Sequence, residues 1–311
     1  MFSSYGGLRG SSVMQEIVVI SGKGGTGKTS LVASFASLAK NVVLADCDAD
    51  ASNLHFVVDH MVTQRTNFSG GKRAAIDAER CLGCGDCVDL CRFDAIRVEA
   101  AVNGDRSESY HIDPIACEGC GVCAWFCPAE AIDFKPAING QWFVSSTRYG
   151  SMVHAKLGVA EENLGKLVGV VRAQARLEAE KHEVELILTD GSPGIGCPVI
   201  ASLTGADLVV IVTEASLSGL HDLERVADVA KHLAIPTLVC INKWDINTEL
   251  TSLIESAAQR RKIPVVGRVR YDRVVTEAQI KGRSIVDYTS EGCAQDIRQV
   301  WASIESQLLQ H

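Results

Sequence analysis

Two stretches of this sequence have residue types and spacings that can do chemistry, and the first is a glycine-rich loop. It reads Ser21-Gly-Lys-Gly-Gly-Thr-Gly-Lys-Thr29, between an apolar, β-branched run at 16–20 and a helical apolar pattern over 29–40. Strand, glycine loop and helix in this order indicate a phosphate-binding loop rather than a ligand-free glycine turn. Backbone N–H groups and the helix N-terminus would bind phosphate oxygens. Lys28 would neutralise phosphate charge, and the Thr29 hydroxyl would ligate Mg²⁺.

The second stretch contains eight of the twelve cysteines of the chain. The pattern C-x₂-C-x₂-C-x₃-C occurs twice, over 81–91 and over 117–127. Disulfides would suit an exported chain, whereas two matching quartets indicate metal ligation. The pattern is typical of [4Fe–4S] clusters, and zinc is the alternative because CxxC pairs also bind it. Outside the quartets, we expect Cys197 to be a buried thiol.

Two acidic residues follow predicted buried strands. Asp48 comes just after the apolar run 41–45, and Asp190 follows the apolar run 185–189. Open α/β sheets bind their ligands at the carboxyl ends of the strands. An aspartate such as Asp190 at the end of an apolar strand is typical of the Walker B position, which holds Mg²⁺ through water.

A second lysine in the glycine loop, Lys23, gives the string Lys-Gly-Gly-Thr-Gly-Lys-Thr. This string resembles the deviant Walker A loop of the MinD/ParA superfamily of P-loop ATPases (SIMIBI type), which includes nitrogenase iron protein. The resemblance implies an ATP-dependent homodimer in which Lys23 reaches the partner's nucleotide, much as an arginine finger does. The alternative is a surface lysine without a partner. The same resemblance implies that Asp48 positions the attacking water.

Two later segments also resemble elements of this family. The loop 191–197 is similar to switch II, in which the N–H of Gly194 would sense the γ-phosphate. The string Asn242-Lys243-Trp244-Asp245 is similar to the base-recognition element, and the Asn242 amide can pair with the adenine edge. An N-K-x-D string alone would suggest guanine, so the preference for ATP depends on the loop resemblance.

The expected site residues come from these segments. The expected nucleotide-binding residues are Gly22, Lys23, Gly24, Gly25, Thr26, Gly27, Lys28, Thr29, Ser30, Gly194, Asn242 and Lys243. The expected catalytic residues are Lys23, Lys28 and Asp48, and the expected Mg²⁺ ligands are Thr29 and Asp190. The nucleotide cofactors implied are ATP and ADP.

The cysteine runs are similar to those of bacterial two-cluster ferredoxins. Each run is followed by a related apolar tail, at 93–98 and 129–134, which indicates an internal repeat. In such ferredoxins the last cysteine of one run ligates the cluster of the other. The resemblance implies one [4Fe–4S] cluster on Cys81, Cys84, Cys87 and Cys127 and a second on Cys117, Cys120, Cys123 and Cys91.

These resemblances predict an α/β fold: a doubly wound, mostly parallel sheet of the P-loop NTPase type, interrupted by an inserted α+β bacterial-type ferredoxin module. We expect four segments along the chain. They are a flexible N-terminal extension (1–13), the first part of the ATPase domain (14–61), the two-cluster insert (62–138) and the second part of the ATPase domain (139–311).

Composition excludes several classes of function. The net charge of −8 over 311 residues disfavours a basic surface for nucleic acid or anionic membrane. No apolar run approaches the length of a membrane span, and residues 1–13 lack a signal-peptide core. A final helix with Ile297, Trp301 and Leu308 on one face has little positive charge on the other, so we expect it to dock on its own domain. We therefore expect a cytoplasmic protein.

Taken together, the sequence predicts a Mg²⁺-dependent ATPase that couples dimer closure to electron transfer through two [4Fe–4S] clusters to a redox partner protein. One alternative is an iron–sulfur carrier or assembly ATPase, but such proteins often use a C-x-x-C near the C-terminus, and this chain has none there. Another is a ParA/MinD-like positioning or assembly switch with redox-sensing clusters, whose basic face or membrane tail the sequence does not clearly offer.

Overall fold

The computed structural model describes residues 14–39, 41–48, 53–99, 108–158 and 164–308. The expected extension at 1–13 lies outside the described residues. The chain divides into two units. The first unit comprises Met1–Arg65, Phe143–Ala155 and Leu164–His311. The second unit comprises Thr66–Trp142 and Lys156–Asn163.

The strands and helices follow each other in alternation through most of the first unit. The strands are β1 (Gln15–Ile20), β2 (Val43–Asp46), β3 (His60–Phe68), β4 (Gly71–Ile76), β5 (Ile96–Glu99), β6 (Ser109–Ile112), β7 (Ile132–Ala137), β8 (Gly140–Thr147), β9 (Ser151–Leu157), β10 (Leu186–Asp190), β11 (Leu208–Glu214), β12 (Thr237–Asn242) and β13 (Val265–Val269). The helices are α1 (Lys28–Ala39), α2 (Asp86–Leu90), α3 (Val122–Trp125), α4 (Leu164–Lys181), α5 (Cys197–Leu203), α6 (Leu217–His232), α7 (Thr248–Arg260), α8 (Val274–Ile280), α9 (Ile285–Tyr288) and α10 (Cys293–Leu308).

The main sheet has the strand order β13-β12-β11-β1-β10-β2-β9-β8-β3. The pairings of β1 with β10 and β11, of β10 with β2, of β2 with β9, of β11 with β12 and of β12 with β13 are parallel. In this register Val19 of β1 lies opposite Asp190 of β10. Parallel strands end at the same edge of the sheet, so the glycine loop and Asp190 meet there. The predicted α/β fold with a large, mostly parallel sheet is confirmed.

Consecutive side chains of β1 enter two different apolar cores. Ile17 and Val19 pack in the core that contains residues of α1 and α10, whereas Val18 and Ile20 pack in the core that contains residues of α6 and α7. Because a core covers each face of the sheet, neither face meets water. This explains why the central strands are apolar throughout. The expected docking of the last helix is confirmed, because Trp301 is buried and stacks on Phe35 with ring centroids 5.3 Å apart.

The second unit contains two small antiparallel sheets and the two cysteine runs. Strand β4 pairs with β7, and β5 pairs with β6. Helices α2 and α3 each start inside a cysteine run, directly after a left-handed glycine. Glycine is required at Gly119, because a Cβ there would lie 2.1 Å from the Lys72 carbonyl oxygen at a φ of +63°. The two apolar tails expected after the cysteine runs contain the starts of β5 and β7.

Within the described ranges, no helix combines the length and the apolar character that crossing a bilayer would require.

A buried ion pair joins the start of β1 to α4. Arg172 donates to both carboxylate oxygens of Glu16, each at 2.7 Å, and Arg176 donates to one of them at 2.9 Å. Thr189 donates to the other oxygen at 2.8 Å. Glu16 is 3% exposed, so this charge depends on its partners. Burial raises the pKa of Glu16, but Arg172 and Arg176 more than offset this, and its pKa falls below the ordinary value.

We expect Arg172→Met to lower the free energy of unfolding by roughly 3 kcal/mol, because a buried carboxylate then keeps only part of its charge compensation. Chemical unfolding at pH 7, followed by circular dichroism, measures this value. Arg176→Met is the matched control, since the side chain of Arg176 is 42% exposed. Loss of the Arg176 guanidinium should lower the free energy of unfolding by less than about 1 kcal/mol. Equal losses in both variants would contradict the assigned role of Arg172.

The same pair gives a pH dependence with a definite sign. The pKa of Glu16 is lower in the folded than in the unfolded chain, so its contribution is complete above the ordinary value of 4.5. It is lost as the pH falls through the lowered folded value. The stability difference between the parent and Arg172→Met should therefore be constant near neutral pH and shrink below 4.5.

Candidate functional site

The glycine-rich loop lies between β1 and α1, beside a cavity of about 730 Å³. This volume falls within the roughly 300–1,000 Å³ of small-ligand pockets. The predicted site residues that line the cavity are Lys23, Gly24, Gly25, Thr26, Gly27, Lys28, Thr29, Ser30, Asp48, Asn242 and Lys243. Three predicted residues, Gly22, Asp190 and Gly194, are not part of its lining. The fold thus brings together side chains that are up to about two hundred positions apart.

Gly27 allows β12 to approach the loop closely. Its φ is +90°, and a Cβ at this position would lie 2.3 Å from Nδ2 of Asn242. That Nδ2 donates a buried hydrogen bond of 2.7 Å to the carbonyl oxygen of Thr26. The side-chain oxygen of Asn242 accepts from the backbone N–H of Lys243 at 3.0 Å. The residue expected to read the base therefore also holds the loop in place.

The charged centre of the site is a contact between Lys28, Thr29 and Asp190. Lys28 Nζ donates to Asp190 Oδ1, and Thr29 Oγ1 donates to Asp190 Oδ2 at 2.8 Å. Lys28 Nζ also lies 3.8 Å from a carboxylate oxygen of Asp48. Burial lowers the pKa of Lys28, but the attraction of Asp190 and Asp48 outweighs it and the pKa is raised. Lys28 is therefore a buried cation between two carboxylates.

Asp46 fixes the segment that contains Asp48. Its carboxylate accepts from the backbone N–H of Asp48 at 3.2 Å and from that of Leu54 at 3.4 Å. Asp46 is fully buried at the end of β2, whereas Asp48 is half-buried and lines the cavity. Of these two aspartates, Asp48 is therefore the one that can reach a ligand in the cavity.

The loop after β10 is joined to the glycine loop by its backbone. The N–H of Gly194 donates to the carbonyl oxygen of Ser21 at 3.0 Å, and Gly194 has a φ of +95°. Ser192 Oγ donates to the carbonyl oxygen of Cys47 at 2.6 Å. A displacement of this loop would therefore break contacts with the residues that directly follow β1 and β2.

Lys243 and Asp245 of the N-K-x-D string each contact another loop. Lys243, which has a φ of +53°, donates from Nζ to the carbonyl oxygen of Gly25 at 2.8 Å. Asp245 Oδ1 accepts from the backbone N–H of Tyr271 at 2.7 Å. One carboxylate oxygen of Asp245 is thus occupied by the chain itself.

Lys23 is held by residues at the end of β11 and the start of α6. Its Nζ lies 2.6 Å from Glu214 Oε1 and donates to Ser218 Oγ at 2.7 Å. The side chain of Lys23 remains 34% exposed. In this structure the lysine expected to act across a dimer is paired within its own chain.

Gln279 and Arg270 line the cavity but were not among the site residues expected from the sequence. Gln279 of α8 lines the cavity and donates to Ser30 Oγ at 2.8 Å, although no motif surrounds it. Arg270 also lines the cavity, and its guanidinium binds both oxygens of Asp296 in α10 at 2.7 and 2.8 Å. A cation at 270 and an acid at 296 are visible in the sequence, but nothing local indicates that they pair.

The cysteines of the second unit line two separate cavities. One is lined by Cys81, Cys84, Cys87 and Cys127. The other is lined by Cys91, Cys117, Cys120 and Cys123. In each cavity, three cysteines come from one run and the fourth is the last cysteine of the other run. All eight thiols are free of disulfides.

The thiols within each cavity affect each other electrostatically. Burial raises the pKa of Cys87, and Cys81 and Cys84 raise it further. Burial likewise raises the pKa of Cys123, with further increases from neighbours that include Cys91. Mutual repulsion of this kind is relieved when a cationic metal centre binds thiolates.

Among the described residues, no group of three or more His, Cys, Asp or Glu side chains is arranged to hold one metal ion. The four ligands of a mononuclear site converge on a single atom at about 2.3 Å for zinc and sulfur. The four thiolates of a [4Fe–4S] cube bind four different iron atoms and must stand farther apart. Each cavity offers four thiols, which is the ligand number that a [4Fe–4S] cluster takes from a protein.

One expectation from the sequence is wrong. Cys197 was expected to be a buried thiol, but it is exposed at the first position of α5. The apolar neighbours Pro198 and Val199 suggested burial, yet only Val199 of these three residues is buried. A short helix presents one face to the core, and Cys197 lies off that face.

The family profile described as "CobQ/CobB/MinD/ParA nucleotide binding domain" matches residues 17–285. The "Uncharacterized protein MJ0578" of Methanocaldococcus jannaschii is 32% identical over 238 residues, which are 76% of this chain and 80% of that protein. The family match agrees with the resemblance inferred from the glycine loop.

Solved structures give the same fold. The cell division ATPase MinD of Pyrococcus furiosus has a TM-score of 0.56 and 16% identity, over 95% of this chain and 100% of that chain. The septum site-determining protein MinD of Pyrococcus horikoshii, complexed with Mg-ADP, has a TM-score of 0.56 and 17% identity, over 94% and 97%. At such identities the likeness concerns the fold alone. Since the family profile covers well over half of the sequence, the chain belongs to the CobQ/CobB/MinD/ParA family of nucleotide-binding domains.

Proposed function

We propose that this chain is a Mg²⁺-dependent ATPase in which ATP-driven dimer closure is coupled to electron transfer, through two [4Fe–4S] clusters, to a partner protein. The main support is the lining of two cavities by four cysteines each, in the interleaved combination expected of a two-cluster ferredoxin. The same chain has the nucleotide loop of its family. Neither feature alone would suggest a coupling between nucleotide and redox chemistry.

The nucleotide half of the proposal uses the contact of Lys28 and Thr29 with Asp190. Lys28 is buried, so it needs an anionic partner, and a phosphate can replace Asp190 in that role. Thr29 and Asp190 would then hold Mg²⁺, Thr29 through its hydroxyl and Asp190 through water, and the ion would neutralise phosphate charge. The Mg-ADP of the Pyrococcus horikoshii MinD supports this choice of ligand. Asp48, fixed by Asp46, orients the attacking water.

The contacts of the N-K-x-D string do not by themselves choose between adenine and guanine. Guanine recognition by such a string requires an acid that accepts from the N–H groups of the base edge. Asp245 already accepts from the N–H of Tyr271 and so has only part of that capacity. Asn242 is tied to Thr26 through Nδ2. Both side chains are thus partly occupied by the chain itself, and ATP is proposed as the substrate from the resemblance of the glycine loop to that of the MinD/ParA ATPases.

The proposed dimer depends on Lys23. A lysine 34% exposed at the rim of the cavity can reach a second subunit, where it would neutralise charge that develops on the phosphates during hydrolysis. Gly194 connects hydrolysis to the loop after β10, because its N–H donates to the carbonyl oxygen of Ser21 in the glycine loop. A change in the phosphates would therefore alter both the dimer contact and this loop.

The cysteine half of the proposal requires the eight thiolates as permanent ligands. When bound, each cluster supplies one-electron transfer. The chain contributes the anionic ligands and at least one backbone hydrogen bond to sulfur, since the N–H of Ala131 donates to Cys127 Sγ at 3.4 Å. Such bonds to ligand sulfurs are a means of adjusting reduction potential. Eight ligands in a complete pattern favour permanent clusters over a labile cargo.

For the nucleotide site, we expect Lys28→Met to lower ATP hydrolysis roughly 10²–10³-fold through lost electrostatic stabilisation. We expect Asp48→Asn to retain ATP binding and lose hydrolysis roughly 10²-fold or more. Phosphate release and nucleotide binding, measured on the same samples, separate these effects. Lys231→Met, which removes an exposed lysine of α6, is the control. An Asp48→Asn variant that hydrolyses ATP at the parent rate would remove Asp48 from the mechanism.

For the cysteines, two double variants distinguish the interleaved ligand sets from sets confined to one run. The anaerobically purified parent should contain about eight iron atoms per chain. Cys81→Ser with Cys127→Ser should damage one cluster and retain about four iron atoms. Cys117→Ser with Cys127→Ser should damage both clusters and lose nearly all iron.

Cys197→Ser, a loss of an exposed thiol outside both cavities, is the matched control and should retain the parent iron content. The reverse result for the two double variants would mean that each run binds its own cluster. Zinc in place of iron in the parent would refute the electron-transfer proposal.

Coupling is tested by redox titration of the parent, followed by EPR, with ADP·Mg²⁺ and with a non-hydrolysable ATP analogue. We expect a change in spin signal or a potential shift of roughly 60 mV, a tenfold change for one electron, only with the analogue. Lys23→Ala, which removes the proposed trans contact, should abolish the shift. Identical titrations in all nucleotide states would refute direct coupling.

A further inference from the structure

Glu214 joins the two lysines of the nucleotide site through its two carboxylate oxygens. Oε1 lies 2.6 Å from Lys23 Nζ, and Oε2 accepts from Lys243 Nζ at 2.9 Å. Burial raises the pKa of Glu214, but hydrogen bonds from Lys23 and Lys243 more than compensate, and the pKa is lowered. Glu214 is therefore an anion that faces two cations.

The surroundings of Glu214 hold it in position. It is the last residue of β11. Its carbonyl oxygen packs closely against Gly219 in the first turn of α6, since a Cβ on Gly219 would lie only 2.3 Å from that oxygen. Ser216 caps α6 by accepting from the N–H of Gly219 at 3.0 Å. Ser218 accepts from Lys23 and lies 3.1 Å from Ser216 through their hydroxyl oxygens. The β11–α6 junction thus offers Lys23 a carboxylate and a hydroxyl together.

The two lysines depend on Glu214 to different degrees. Lys243 Nζ also donates to the carbonyl oxygen of Gly25 and so keeps a partner on the glycine loop without Glu214. The partners of Lys23 Nζ, Glu214 and Ser218, both belong to the β11–α6 junction. Lys23 must leave both to reach any group on another subunit.

We propose that Glu214 is a positioning residue that retains Lys23 on its own chain, so that ATP-dependent dimerisation must break the Lys23–Glu214 ion pair. This inference rests on the proposed function, since it assigns a resting position to the lysine that acts in trans. Lys23 exchanges a carboxylate for a phosphate of the partner's nucleotide, and its charge is paired before and after. Glu214 meanwhile keeps Lys243, and the glycine loop retains that support.

The test is the dimer dissociation constant with a non-hydrolysable ATP analogue, measured by analytical ultracentrifugation. Glu214→Gln removes the charge that retains Lys23 and should tighten the dimer about threefold to fivefold, as expected for a partly exposed ion pair. Ser218→Ala removes the other contact of Lys23, leaves Lys243 untouched, and should tighten the dimer by a smaller factor. With ADP, both variants should match the parent.

Glu249→Gln is the control, because it removes one exposed negative charge at the start of α7. Unchanged or weaker dimers in both Glu214→Gln and Ser218→Ala, relative to this control, would overturn the inference while leaving the proposed ATPase intact. If Glu214→Gln does not fold, as judged by thermal unfolding, Ser218→Ala decides alone. A parent that stays monomeric with the analogue would overturn the proposed dimer, and the inference with it.

Discussion

The nucleotide site is organised around one buried carboxylate, that of Asp190. It is 1% exposed, and its two oxygens are taken by Lys28 and Thr29 at the start of α1. Its backbone oxygen accepts from the N–H of Cys47 at 2.9 Å, which joins the ends of β10 and β2. A charge at this depth is costly unless it is paired, so the glycine loop, the first helix and two strand ends are held in one arrangement.

The remaining contacts of the loop extend this constraint to the far side of the sheet. Asn242 holds Thr26, and Lys243 holds Gly25 from the end of β12. Glu214, at the end of β11, connects Lys243 to Lys23. The loop is therefore fastened by polar side chains from strands on both sides of β1. An anionic ligand would meet lysines that already have anionic partners, so its binding is an exchange of partners rather than the filling of a cationic surface.

The second unit follows a different principle, because its cysteine loops contain few apolar core residues. Left-handed glycines at matching places, such as Gly85 and Gly121, let both runs turn in the same way before their short helices. The repeat then places Cys127 with the first run and Cys91 with the second. Bound clusters would give such a unit stability that a small core does not provide. This is consistent with the proposed permanent clusters.

The sequence by itself determined the features that depend on local spacing. These are the glycine loop between a strand and a helix, the acids at strand ends, and the two cysteine quartets, since each is encoded within a few residues. Only the tertiary structure decided the contacts between distant segments. Glu214 with Lys23, Gln279 with Ser30 and the exposure of Cys197 have no local motif. They depend on the order of the strands and the orientation of the helices. These bring together side chains from distant segments, and the local pattern of one segment does not show which other segment it will contact.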